Sequence, residues 1–146
     1  MKKRGRTIEL DLGELPSLPP AWQWGKIEDA ASEERNAIVD GPFGSNLKLS
    51  DYIEPPGVPV LTTANLRGDF GPNRVRYISQ KKFEELKRSE VRAGDILVAK
   101  IGSCGLTGVY PEGMPSAIIP ANLLKITVHP AFTQKFVLYY LLRNTS

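Results

Sequence analysis

Two turn signals stand close together in one segment of this chain, Asp40-Gly41-Pro42-Phe43-Gly44-Ser45-Asn46-Leu47-Lys48. Gly-Pro and Gly-Ser-Asn are combinations that favour turns, because glycine allows backbone shapes that other residues resist and proline fixes φ. The segment therefore predicts a tightly turned, irregular loop between regular elements. It is the most distinctive part of the sequence.

Short strand patterns follow this loop along the chain. Residues 96–99 form a continuous apolar run, which predicts a buried strand, whereas Lys125 and Thr127 alternate with apolar residues and predict a half-buried one. Turn residues bound each segment. The predicted strands cover residues 58–64, 96–99, 109–110, 117–119 and 124–128.

Two helices are predicted, over residues 79–87 and 133–143. Ser79 and Thr133 are suitable N-caps for them. The second helix is apolar on nearly every side and needs covering all round, by this domain or by a longer element. Several short strands mixed with two or three helices predict an α+β fold with a mixed, short-stranded sheet.

The first residues have a different character from the rest. Residues 1–17 read as a basic N-terminal arm, and residues 18–146 as a single domain that ends in the second helix. Trp22 and Trp24 stand at strand spacing just after the arm and are expected to anchor this segment to the core. Stacking of these rings on bases is the alternative.

Charge and composition restrict the class of protein without deciding it. The chain has 146 residues and a net charge of +3, to which Lys2, Lys3, Arg4 and Arg6 contribute, so the charge permits a polyanionic partner without requiring one. The arm is not followed by the apolar stretch of a signal peptide, and no apolar run is long enough to span a membrane. We therefore expect a cytoplasmic protein.

Catalytic patterns are absent from the sequence. The chain has one histidine, His129, and one cysteine, Cys104, which is too few for a zinc site or a nucleophile–base pair. A nuclease that places a carboxylate two residues before Lys100 is disfavoured, because that position is Val98. Neither a P-loop nor a dinucleotide motif occurs. We expect a non-catalytic protein with no cofactor and no metal.

Six segments stand in a characteristic order across residues 18–142. Each is weak alone, but their order and spacing resemble the target recognition domains of type I restriction-modification specificity subunits. The segments are Leu18-Pro19-Pro20-Ala21-Trp22-Gln23-Trp24, Asp40 to Lys48, Gly57-Val58-Pro59-Val60-Leu61 with Thr63-Ala64-Asn65, Tyr77-Ile78-Ser79 with Phe83-Glu84-Glu85-Leu86, Gly94-Asp95-Ile96-Leu97-Val98 with Lys100-Ile101-Gly102-Ser103 and Gly105, and Ala117-Ile118-Ile119 with Asn122-Leu123-Leu124.

The resemblance implies a function and a set of partners. A specificity subunit supplies sequence-specific recognition of double-stranded DNA, while separate modification subunits methylate adenine with S-adenosylmethionine and separate restriction subunits translocate and cut the DNA. The family's usual subunit has two recognition domains joined by long helices. The resemblance covers one such domain in this chain, and we expect the chain to be either a natural half-subunit or a fragment of a longer subunit.

Polar loops are where we expect DNA contacts. Residues 65–76 combine three arginines with two asparagines, and arginine and asparagine are common readers of guanine and adenine. Lys48, Lys100 and Ser103 stand beside glycine-rich turns that can present backbone N–H groups to phosphates. The loop residues of this hypothesis are Asn65, Arg67, Asn73, Arg74 and Arg76. The alternative is a solvated loop whose arginines pair with acids such as Asp69.

A second function is also open. The apolar closing helix could dock a protein partner, with little DNA binding by the isolated chain. The dependence of duplex affinity on salt distinguishes the two functions, since direct phosphate contacts give a steep slope.

Overall fold

A computed structural model describes residues 15–71 and 73–143. These residues form nine strands, three α-helices and three short 3-10 helices. The strands are β1 Ile38–Asp40, β2 Tyr52–Ile53, β3 Val58–Val60, β4 Arg76–Ile78, β5 Glu90–Val91, β6 Ile96–Ala99, β7 Thr107–Val109, β8 Ala117–Ile118 and β9 Leu123–Ile126. The α-helices are α1 Ile27–Ala30, α2 Gln80–Glu85 and α3 Gln134–Arg143, and the 3-10 helices are Leu49–Asp51, Thr63–Arg67 and Lys87–Ser89. The basic residues predicted for the arm, Lys2, Lys3, Arg4 and Arg6, lie outside the described residues.

The strands form two sheets. The four-stranded sheet has the order β1-β9-β6-β7 and is antiparallel throughout. The five-stranded sheet has the order β2-β4-β3-β8-β5 and contains one parallel pair, β3 with β8. The prediction of an α+β fold with short, mixed strands is confirmed.

The two sheets and the helices pack in layers. One apolar cluster joins residues of both sheets, including Leu97 of β6, Leu123 of β9 and Val91 of β5. A second cluster places Phe83 of α2 on the five-stranded sheet, and a third places Val137 of α3 on the four-stranded sheet. The four-stranded sheet is therefore covered on both faces, which explains the continuous apolar run of β6.

Three sequence expectations are corrected by this packing. The predicted strand 58–64 ends at Val60, because residues 63–67 turn into a 3-10 helix. Lys125 was expected on a solvent face of β9 but is 4% exposed, since both faces of that strand are covered. Trp22 contacts Phe136 of α3 with ring centroids 5.9 Å apart, yet it is 59% exposed, so it anchors its segment at the surface rather than in the core.

Both predicted helices are present. Ser79 caps α2 by accepting a hydrogen bond from the N–H of Lys82 at 3.1 Å, as predicted. In α3, Val137 is buried whereas Phe136 and Tyr139 are exposed, so this domain covers one side of the helix only. Among the described residues, no helix has the length and apolar character needed to cross a bilayer.

Tyr110 gives the fold a predictable response to alkali. Burial raises the pKa of Tyr110 from 10.0 to about 12, and its hydroxyl donates a hydrogen bond to the carbonyl of Pro115 at 2.7 Å. The phenol of Tyr110 ionises at a lower pH in the unfolded chain than in the folded one. The buried, protonated phenol therefore contributes stability that is fully present below pH 10 and is lost as the pH rises towards 12. The complete loss amounts to roughly 3 kcal/mol. In urea unfolding over that range, Tyr110→Phe should lose stability less steeply than the wild type; parallel curves would contradict the assignment.

Candidate nucleic-acid interface

Strand register brings three connections to one end of the four-stranded sheet. Asp40 pairs with Leu124, which pairs with Val98, which in turn pairs with Thr107. β1 and β6 therefore end where β9 and β7 begin. The turn of residues 41–48, the loop of residues 100–106 and the segment of residues 119–122 all leave the sheet at this end.

The five-stranded sheet contributes a fourth connection to the same region. Val60 pairs with both Arg76 and Ile118, so the loop of residues 61–75 leaves its sheet beside the end of β8. Residues 119–122 join β8 directly to β9, which links the ends of the two sheets. The four connections, residues 41–48, 61–75, 100–106 and 119–122, are called the loop end below.

Close backbone contacts fix the turn of residues 41–48 in place. A Cβ added at Gly41 would lie 2.5 Å from the carbonyl oxygen of Ile119 and closer still to the carbonyl of Pro120. The Ser89 hydroxyl donates to the carbonyl of Asp40 at 3.1 Å. The tip of the turn is open, since Phe43 is 69% exposed. The segment that the sequence marked as most distinctive is therefore a turn wedged between the two sheets.

Asn65 shapes the loop of residues 61–75 from inside. Its side-chain oxygen accepts from the N–H of Thr62 at 2.6 Å, and its amide donates to the carbonyl of Asp69 at 2.6 Å. The residue is 2% exposed. This burial corrects the expectation of an accessible amide, because the side chain satisfies backbone groups that the loop would otherwise leave unpaired. Asn65 is a structural residue of the loop.

Three other predicted residues of this loop are exposed. Arg67 ends the 3-10 helix Thr63–Arg67, and within the described residues it forms no ion pair. Asn73 is exposed, and Arg74 pairs with Asp69 at 3.1 Å. The pairing of Arg74 agrees with the alternative of a solvated loop, but an exposed pair of this kind contributes little stability and can be exchanged for another anion. The backbone of Leu66 packs against Gly108, the middle residue of edge strand β7, which directly follows the loop of residues 100–106.

Arg76 and Lys48 lie with other neighbours. Arg76 belongs to β4, and its guanidinium stands 5.0 Å from the centre of the Tyr52 ring. Lys48 precedes the 3-10 helix Leu49–Asp51, and its N–H donates to Asp51, which also pairs with Lys82 of α2. Lys48 is thus the last residue of the turn of residues 41–48 and is placed beside α2, where β4 ends.

Lys100 and Ser103 lie in the loop of residues 100–106, and both are exposed. The N–H of Lys100 donates to the carbonyl of Asn122 at 2.8 Å, and its ammonium lies 3.0 Å from Oδ2 of Asp40. The hydrogen bond from Lys100 holds the pKa of Asp40 below its usual value, so Asp40 stays charged at neutral pH. Lys100 is therefore paired, but its pair lies at the surface.

Arg88 joins this group although the sequence gave no reason to select it. Its Nη2 lies 3.3 Å from Oδ1 of Asp40, and its side chain is 66% exposed. Arg88 precedes β5 in the five-stranded sheet, whereas Lys100 follows β6 in the other sheet. A contact across 48 residues leaves no local sequence signal, so this residue could be found only in the folded structure.

An apolar groove lies on the face of the four-stranded sheet that packs against α3. It is formed by α1, α3 and the segment before α1. Its volume is about 390 Å³. Its lining includes the exposed rings of Trp22, Phe132 and Phe136, together with Tyr140. In the part of the chain that the structure describes, no three His, Cys, Asp or Glu side chains are grouped as a metal site would require.

Comparison with known proteins finds similar folds among solved structures. The sequence matches no protein-family model, and no curated protein matches it. The fold is similar to that of the HsdS subunit from Thermoanaerobacter tengcongensis, with a TM-score of 0.63 and 23% identity over 89% of this chain and 29% of that chain. It is also similar to a chain in a structure of complex assembly and conformational transition of the type I R-M system, with a TM-score of 0.61 and 23% identity over 86% of this chain and 28% of that chain. This chain thus spans less than a third of the solved chains that it matches, and the likeness confirms the predicted fold.

Proposed function

We infer that this chain recognises double-stranded DNA as the target recognition domain of a type I restriction-modification specificity subunit. The observation that carries this proposal is the fold likeness to HsdS over 89% of the chain. The six segments of the sequence resemblance run through both sheets of this fold, so the sequence and the fold support the same proposal.

The loop end supplies the chemistry that a DNA reader needs. Cations that meet phosphates give affinity, and polar groups that reach base edges give specificity. Exposed cations of the loop end include Arg67, Arg74 and Lys100, and its exposed polar side chains include Asn73 and Ser103. Loops carried by two packed sheets can differ between proteins without disturbing the core.

Bond-making and bond-breaking belong to other polypeptides in this proposal. The chain acts without a cofactor of its own and directs modification and restriction subunits to their site. The scarcity of nucleophile–base pairs in the sequence supports this division of labour.

A salt titration of DNA affinity tests the proposal. Binding of the purified chain to a short fluorescent duplex should weaken steeply between about 50 and 200 mM salt, with a slope that counts the phosphates contacted. The double variant Arg67→Gln and Arg74→Gln should flatten the slope of log affinity against log salt concentration by about 1.8 if each arginine contacts one phosphate. The measurement is fluorescence anisotropy at several salt concentrations.

The matched control is Lys26→Gln with Lys82→Gln. This pair removes the same charge from residues that pair with Glu28 near α1 and with Asp51 near α2. The control should keep the wild-type slope. Equal slopes for both double variants would remove Arg67 and Arg74 from the interface, and a wild type without measurable duplex binding at low salt would overturn the function itself.

The alternative function, a protein-docking module, is favoured by the apolar groove. Trp22, Phe132 and Phe136 are each exposed by 44% or more around it, and rings of this size are rarely left in water without a use. The same titration separates the two functions, because docking through α3 requires no duplex affinity from the isolated chain. Both functions can coexist in a complex.

A further inference from the structure

Three charged side chains from three parts of the fold meet at the loop end. Asp40 ends β1, Lys100 follows β6, and Arg88 lies in the 3-10 helix before β5. The Asp40 carboxylate uses one oxygen for each cation, Oδ2 for the Lys100 ammonium at 3.0 Å and Oδ1 for the Arg88 guanidinium at 3.3 Å. These three residues are called the clamp triad below.

The backbone beneath the clamp triad is fixed by hydrogen bonds between the two sheets. The Ser89 hydroxyl donates to the carbonyl of Asp40, and the N–H of Ile119 donates to the carbonyl of Ser89 at 3.2 Å. The N–H of Lys100 donates to the carbonyl of Asn122. The three side chains of the triad are therefore carried by backbone segments that are hydrogen-bonded to one another.

The clamp triad is accessible and carries a net charge of +1. The side chains of Asp40 and Lys100 are 33% and 34% exposed, and that of Arg88 is 66% exposed. A guanidinium has five N–H donors and an ammonium has three, of which Asp40 accepts one from each. The remaining donors of both cations are free to bind another anion, within the contacts formed by the described residues.

We propose that the clamp triad binds one backbone phosphate of the duplex, with Arg88 and Lys100 as the two ligands and Asp40 as the residue that positions them. The proposal rests on the proposed DNA-binding function and names a contact within that same surface. An arginine fork and a lysine point charge together match a phosphodiester, which offers two unbridged oxygens. Asp40 holds both cations at a fixed spacing, so their rotamer freedom is already restricted before DNA arrives.

The test uses substitution of both cations and the salt dependence of duplex binding. The double variant Arg88→Gln with Lys100→Gln should flatten the slope of log affinity against log salt concentration by about 0.9, because the two cations together neutralise one phosphate, and each single substitution should weaken binding. The control is Lys87→Gln, since Lys87 is the neighbour of Arg88 but pairs with Glu90 and lies over the Phe83 ring. We expect Lys87→Gln to keep the wild-type slope.

The variant Asp40→Asn distinguishes two roles of Asp40: positioning the two cations, or only neutralising part of their charge. If Asp40 merely cancelled positive charge, its removal would tighten DNA binding at every salt concentration. As a positioning residue, its loss should weaken binding instead, because the two cations are no longer held at a fixed spacing before DNA arrives. Thermal unfolding of each variant, followed by circular dichroism, confirms that the protein compared is folded.

The outcomes are distinct. An unchanged slope for the double variant Arg88→Gln with Lys100→Gln, in a wild type that binds duplex DNA, would overturn the clamp triad and leave the proposed function standing. Tighter binding by Asp40→Asn would overturn the positioning role of Asp40. A wild type that does not bind duplex DNA would overturn the clamp and the proposed function together.

Discussion

Replacement of Gly41 by alanine is expected to destabilise the protein by about 3 kcal/mol or more, at the upper end of what overpacking a core position costs. The reason is steric. Gly41 is buried, and a methyl group there would collide with the backbone carbonyls of Ile119 and Pro120. Backbone atoms cannot rotate away as a side chain can. The turn of residues 41–48 would have to separate from the segment that joins the two sheets.

Gly44→Ala is the matched control for this prediction. It makes the same chemical change three residues further along the same turn, where an added Cβ meets no atom within 4 Å. Urea unfolding should show a lowered midpoint for Gly41→Ala and a midpoint near that of the wild type for Gly44→Ala, with similar m-values. Equal midpoints for the two variants would mean that the close packing of Gly41 on Pro120 does not exist.

Local sequence signals predicted the elements whose formation depends mainly on residues close to them in the sequence. Ser79 predicts the start of α2 because its hydroxyl accepts a hydrogen bond from the backbone N–H three residues later and so caps the first turn. The apolar run at β6 predicts a strand that is covered on both faces, since the side chains of such a strand must be apolar on both sides. In both cases the physical cause lies within a few residues, so a sequence can display it.

The short strands β2 and β5 were not predicted, for the opposite reason. β2 and β5 contain two residues each and are too short for an alternating pattern. Their backbone groups are paired because β4 and β8 stand beside them, and that proximity is set by the whole fold. Arg76 was assigned to a loop for the same reason, although it begins β4.

The sequence predicted which loops carry polar side chains of the candidate site, but it did not predict the contacts between those side chains. Arg67, Asn73 and Arg74 are exposed at the loop end, whereas Asn65, with the same polar character, is buried as a brace of the loop. Arg88 was missed because its partner Asp40 lies 48 residues away. Residue type and loop composition indicate that polar chemistry is present, but only the fold decides which side chains serve the loop and which face outward.

Asp95→Asn is expected to cost about 3 kcal/mol of stability, because it leaves a buried ammonium without its counter-charge. The Asp95 and Lys125 side chains are 3% and 5% exposed, and Oδ2 of Asp95 lies 3.5 Å from the ammonium. Asp95 also accepts from the N–H of Arg92 at 2.8 Å and from the Thr127 hydroxyl at 2.6 Å. The two donors use different oxygens of Asp95, whereas asparagine has one acceptor oxygen, so the substitution removes the charge together with one of these two accepted hydrogen bonds.

Removal of both charges should recover part of that loss. In the double variant Asp95→Asn with Lys125→Met, the unpaired ammonium is replaced by an apolar chain of similar length, and the site between the sheets becomes neutral. We therefore expect urea unfolding to rank the double variant as more stable than Asp95→Asn alone. The exposed pair Lys87–Glu90, treated in the same way, should change stability by no more than about 1 kcal/mol. Additive losses at Asp95 and Lys125 would show that the two charges are not coupled and that water, rather than Asp95, solvates the lysine between the sheets.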